Sequence, residues 1–211
     1  AGTRRSCMTI YDLKPRFQAL LRPLSDRLCS HGVRPNAVTL TALILSVGTG
    51  VGLLLLGAGR PWLFGILAPV LLLRMALNAL DGMMAGEHGM TSASGALLNE
   101  VGDVVSDAAL LLPLAVMLPG GSLLLLTMVI ALTMISEVAG LAPVLIGAGR
   151  NYAGPMGKSD RTFVLGALGL GIATLPDATT DVLPWVLAGM AGMLGICLLY
   201  TSDAADDLWW G

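Results

Sequence analysis

The chain has 211 residues, of which 55% are hydrophobic and only 12% charged, and its net charge is −2; mean hydropathy is +0.79. Soluble domains average about 25% charged residues, so this composition excludes an ordinary water-soluble domain and predicts an integral membrane protein with no nucleic-acid partner. Cys7, Cys29 and Cys197 make neither a metal-ligand spacing nor a disulfide framework, and the polar, basic start lacks the apolar core and small-residue cleavage site of a secretory signal.

In chain order, residues 1–9 read as a non-native or disordered leader, because Met8 opens a plausible reading frame. Residues 10–34 form a different segment. Ile10, Leu13, Phe17, Leu20, Leu21, Leu24 and Leu28 recur at helical spacing among Lys14, Arg16, Arg22 and Arg27, the pattern of an amphipathic helix lying in the membrane interface. Pro23 is expected to kink it.

Six stretches then approach the roughly 20 apolar residues that a spanning helix needs: residues 37–59, 62–85, 95–118, 123–146, 162–175 and 182–200. The fifth is short and glycine-rich. The expected fold is therefore all-α, with six transmembrane helices after an amphipathic interfacial helix, the membrane domain covering residues 35–196. Residues 197–211, beginning Cys197-Leu198-Leu199-Tyr200, read as an adapter-derived tail.

Basic residues set the orientation. Arg4, Arg5, Lys14, Arg16, Arg22, Arg27 and Arg34 precede the first span, and Arg150, Lys158 and Arg161 lie between the fourth and fifth. The positive-inside rule places the N-terminus and the loops at 86–94 and 147–161 in the cytoplasm, hence an inner (cytoplasmic) membrane protein.

Polar residues inside these spans carry the functional reading. A charge near the centre of a spanning helix costs at least ~2.5–3.5 kcal/mol. Asn78 and Asp81, three apart, share one face of the second span. Asn99, Asp103 and Asp107 are spaced by four and share a face of the third, drifting about 40° per step. Small residues, Gly82, Ala85, Gly86 and Gly95, stand beside them and leave room for a ligand to reach the backbone. Oxygen donors from two helices suit a hard divalent ion, Mg2+ or Mn2+, which also takes phosphate oxygens. The same acids fit a structural polar network between helices, or an ion or proton path. Glu137, alone in the fourth span, fits either an acceptor pocket or a helix–helix hydrogen bond, and Asp107 fits either the metal or a pairing with Arg74.

The run from Asn78 to Asp103 resembles the signature of the CDP-alcohol phosphatidyltransferases, D-x-x-D-G-x-x-A-R-x8-G-x-x-x-D-x-x-x-D. Asp81-Gly82, Ala85, the eight residues 87–94, Gly95 and Asp103 match in type and spacing. Asn78 and Asn99 replace the first and third aspartates, which would make this a bacterial branch of the class, and Gly86 replaces the arginine that helps to hold the donor. The resemblance implies a metal-dependent enzyme of phospholipid biosynthesis. It would transfer a phosphatidyl group from a CDP-linked donor, such as CDP-diacylglycerol, to an alcohol acceptor, releasing CMP at the cytoplasmic face. It implies Asn78, Asp81, Asn99, Asp103 and Asp107 as candidate metal donors, for one ion or for the family's two. Asp103 becomes the general base; Gly82, Ala85, Gly86 and Gly95 the donor-binding edge; Arg150, Lys158 and Arg161 the phosphate or acceptor ligands. Membrane lipids and a homodimer complete the implied partners. The losses at positions 78, 86 and 99 keep open an inactive, lipid-binding relative.

Overall fold

The structure is a computed structural model that describes residues 10–118, 122–145 and 156–210, with side chains described over 17–118, 122–140 and 156–199. The leader 1–9 and Arg150 lie outside the described residues. Seven α-helices and no strand occur among the described residues: α1 (Ile10–Ser30), α2 (Pro35–Leu56), α3 (Leu67–Glu87), α4 (Ala93–Leu111), α5 (Leu123–Leu145), α6 (Lys158–Thr174) and α7 (Pro176–Trp210). One 3-10 stretch, Pro61–Ile66, leads into α3, and another, Leu112–Met117, continues α4.

The amphipathic segment is one helix, α1, continuous through Pro23. It ends where Gly32 takes φ +76°, a left-handed conformation cheap only for glycine. The Val33 and Gly32 N–H groups then donate to the Leu28 and Cys29 carbonyls, closing the helix as a Schellman motif. Leu21, Leu28 and Val33 pack against Val38, Leu80 and Met84, so α1 lies on the end of α3. Arg22 donates to Glu87 at 2.8 Å and 3.1 Å across the same junction, and the His88 ring lies 3.2 Å from Asp26.

Four stretches are long and apolar enough to cross a membrane by length and composition: Pro35–Leu56, Pro61–Glu87, Leu123–Gly140 and Pro176–Leu199. α4 falls short because it carries Glu100, Asp103 and Asp107, and α6 because it has 17 residues and begins Lys158-Ser159-Asp160-Arg161. The helices are inverted relative to a soluble protein. Ile44, Leu55, Leu72 and Val138 face outward, while Arg74, Asp103, Asp107, Glu137 and Arg161 are buried inside. Outward leucines suit a lipid solvent, and buried charges need partners within the protein. α7 continues through the residues from Cys197 onward that the sequence sets apart.

α2 is the pivot, packing against both α3 and α4. Its Gly50 meets the α4 backbone, where a Cβ would run into the Ala109 carbonyl. Gly50→Val is expected to destabilise the fold by about 1–3 kcal/mol, read as a lower apparent Tm in detergent; an unchanged Tm would mean that α2 and α4 separate without cost.

Candidate active site

Arg74, Asn78 and Asp81 follow one another along α3 at spacings of four and three, and so point into one cleft. Facing them is α4, started by Ser92, whose hydroxyl accepts from the Gly95 N–H at 3.0 Å. A Cβ on Gly95 would fall 2.5 Å from Asn36 Oδ1. Glycine at this signature position therefore lets the start of α2 close against the start of α4. From α2, the Thr39 hydroxyl donates to Asp81 Oδ2 at 2.7 Å. Long side chains bridge α3 and α4: Asn78 Nδ2 donates to Asp103 Oδ1 at 2.9 Å, and Arg74 Nη2 to the same oxygen at 3.1 Å.

The other carboxylate oxygen of Asp103 accepts from Lys158 Nζ, at the first position of α6. Beyond Asp103 the network runs deeper. Arg74 Nη1 donates to Asp107 Oδ1 at 2.5 Å. Arg161 Nη2 donates to Asp107 Oδ2 at 3.1 Å and also to Glu137 Oε1. Arg161 Nη1 reaches Ser136 Oγ at 3.4 Å and the Met156 carbonyl at 3.3 Å. The Nε–H groups of Arg74 and Arg161 have no acceptor among the described residues, and a cavity of about 10 Å³ is lined by both arginines and Asp107, room for one water.

The cleft therefore has two layers. The outer layer holds Asn78, Asp81, Asp103 and Lys158. Asp81 forms no ion pair among the described residues, and Lys158 keeps 38% of its side chain exposed. Asp81 and Asp103 are themselves buried, at 6% each, and the inner layer, Arg74, Asp107, Glu137 and Arg161, has no side chain above 9% exposed. Two of the residues that the resemblance implies as ligands are engaged inside the protein. Both oxygens of Asp107, expected among the metal donors, are taken by guanidinium groups. Arg161, expected to bind phosphate beside Lys158, has both Nη atoms committed inside the protein. Asn99 is half-buried next to the outer layer. Gly82 and Gly86 are exposed with nothing within 4 Å of a Cβ, and Ala85 between them is half-buried, so that edge of α3 is open to a ligand.

Residues 33–199 match the CDP-alcohol phosphatidyltransferase family. The chain belongs to that family. It is 48% identical over 196 residues to the inner membrane protein YnbA of Escherichia coli (strain K12), covering 92% of this chain and 93% of that one. Its fold is similar to that of the Mycobacterium tuberculosis phosphatidylinositol phosphate synthase PgsA1. The crystal structure with CDP-DAG bound superposes with a TM-score of 0.65 at 21% identity, covering 86% of this chain and 90% of that one. The complex with manganese and citrate gives 0.65 at 23%, covering 85% and 87%.

Among the described residues no group of three His, Cys, Asp or Glu side chains is gathered for an ion. The outer layer instead offers two carboxylates, Asp81 and Asp103, with Asn78 bonded through Nδ2 to Asp103 and Asn99 one turn before Asp103 on α4. All are hard oxygen donors, and the set fits one Mg2+ or Mn2+ ion that completes its shell with phosphate and water. Sequence reasoning missed Thr39 and Asn36. Their only signal was polarity at the mouth of an apolar helix, following Arg34-Pro35.

Proposed function

We propose that the chain is an active transferase of its family, moving a phosphatidyl or related phosphoalcohol group from a CDP-linked donor to an alcohol and releasing CMP. In this reading α4 and α6 also cross the bilayer, giving six spans, and the protein sits in the inner membrane with the outer layer facing the cytoplasm. The observation that carries the proposal is the outer layer, whose two carboxylates are buried and whose rim is exposed. Asp81 and Asp103 stand across one cleft beside the unobstructed Gly82–Gly86 edge, with a partly exposed lysine at its mouth.

A divalent ion bound by Asp81 and Asp103, with Asn78 and Asn99, would neutralise charge on the donor diphosphate. Thr39 holds the Asp81 carboxylate in its rotamer, and Arg74 and Asn78 hold Asp103. Asp103 takes the proton of the acceptor hydroxyl as general base. Lys158 binds phosphate as a flexible point charge, and Gly82, Ala85 and Gly86 let the donor lie against α3. Arg161 and Asp107 act from behind, by fixing the position of α6 against α4.

The test is CMP release from CDP-diacylglycerol by purified protein in detergent, with Mg2+ or Mn2+ and a panel of alcohols. Metal-dependent release that names one acceptor supports the reading; silence across the whole panel with folded protein rejects it. Gly86 motivates a second reading, an inactive lipid-binding relative, because glycine offers a donor phosphate no charge. The position is open, so Gly86→Arg fits without displacing anything. It is expected to lower the KM for the CDP-linked donor by roughly 10–100-fold, the worth of one charge-assisted hydrogen bond. A KM that does not move would show that the donor does not pass this edge of α3.

A further inference from the structure

We propose that Lys158 is a resident counter-ion of the site: its ammonium neutralises Asp103 until a divalent cation bound at Asp81 and Asp103 displaces it, and the freed ammonium then pairs with a phosphate of the substrate. The proposal rests on the transferase reading and adds to it the order of events at the outer layer.

The two oxygens of Asp103 are held by different kinds of donor. Oδ1 accepts from Arg74 and Asn78, both on α3, and Oδ2 from Lys158 of α6. Arg74 is 4% exposed and bonded to Asp107 as well. Moving it would take a buried guanidinium from two buried carboxylates at once, a costly change inside the protein. Lys158 is different in each respect. Its side chain is 38% exposed, it pairs with one carboxylate among the described residues, and its four-carbon stem swings without backbone movement. The backbone beneath it is fixed, because the Gly157 N–H donates to Asp160 Oδ2 at 3.1 Å and pins the start of α6. Among the cations of the network, Lys158 is the one built to leave.

Charge balance points the same way. In the ion pairs among the described residues, Asp103, Asp107 and Glu137 face Arg74, Arg161 and Lys158, three against three, and Asp81 stands beside them without an ion pair there. A divalent ion added to that set leaves one positive charge in excess. If Lys158 withdraws, four carboxylates face two guanidinium groups and one divalent ion, and the buried set is neutral. The displaced ammonium stays at the mouth of the cleft, where a phosphate pairs with it. Ion and phosphate therefore favour each other's binding, and by linkage the effect is reciprocal.

The experiment is Mn2+ titration of the purified, detergent-solubilised protein, following free Mn2+ by electron paramagnetic resonance. Lys158→Met is expected to bind Mn2+ about tenfold more tightly than the wild type, and Lys158→Arg not to do so. The gain disappears when Asp103→Asn is added, because the lysine competes through that carboxylate. Inorganic phosphate tightens Mn2+ binding to the wild type and not to Lys158→Met. Lys158→Gln serves as the same test if the methionine variant aggregates. Equal or weaker Mn2+ binding in Lys158→Met, or a gain that persists in Asp103→Asn, overturns the counter-ion role. If Asp81→Asn still abolishes binding in that case, the metal site of the transferase reading survives. No Mn2+ binding by any form overturns both.

Discussion

Asp81→Ala is expected to lower CMP release by about 10²–10³-fold at subsaturating metal. Asp81 is the carboxylate of the cleft that forms no ion pair among the described residues; its structural tie is the Thr39 hydroxyl. Removing it costs the site half its carboxylate donors and leaves the buried ion pairs untouched, so folding is preserved while chemistry is lost. Asp81→Asn sharpens the reading. The amide keeps an oxygen for Thr39 but carries no charge, and the metal concentration for half-maximal rate should rise while apparent Tm stays unchanged. Asp103→Ala is expected to give a similar loss by a different route, because it removes a metal donor and the proposed base together. Its cost to stability is moderate, since Arg74 keeps Asp107 and Lys158 is half exposed. Initial rates across a Mg2+ titration separate these effects. A wild-type rate and metal dependence in Asp81→Ala would remove the ion from this cleft.

The residues of the outer layer were legible in the sequence because they obey one helix at a time. Asn78 and Asp81 share a turn of α3, and Asn99 and Asp103 share a turn of α4. Of the partners, the pairing of Asp107 with Arg74 stood as one of two sequence readings; the others were not legible, because partnership depends on the rotation of one helix against another. From Asn99 to Asp107 the helix turns by about 80° beyond two full turns. That rotation takes Asp107 away from the cleft mouth and toward α6, where Arg161 meets it. Glu137 had to find a cation, as a buried carboxylate does, yet hydropathy along α5 says nothing about which of Arg74, Arg150, Lys158 or Arg161 it would be. The spans show the same limit from the other side. Apolar periodicity marks the regions of α4 and α6 as helical, but the acids and bases that build the network are the residues that disqualify those helices by composition. Pro23, read as a kink, lies within a continuous α1, whose packing on Leu80 and Met84 holds it in place.

Arg161→Met is expected to destabilise the protein by about 3–5 kcal/mol, the cost of stranding a buried charge, or on the order of 10 °C in apparent Tm for a chain of this size. Glu137, 5% exposed, would lose its arginine, while Asp107 would retain Arg74 at 2.5 Å. The double variant Arg161→Met with Glu137→Met removes the stranded carboxylate together with its partner. Apolar side chains of similar volume often replace a buried pair at little cost, so the double variant should recover most of the lost stability. Thermal scans in detergent at one fixed rate make the comparison, because unfolding of such proteins is commonly irreversible. A double variant as unstable as the single would mean that Arg161 and Glu137 are not coupled. The same pair decides between two roles for Arg161. A stabilised double variant that keeps the acceptor KM of the wild type confines Arg161 to holding α6 against α4 and α5. A KM that rises at least tenfold in a well-folded double variant would return Arg161 to the phosphate-binding role that its place beside Lys158 suggests.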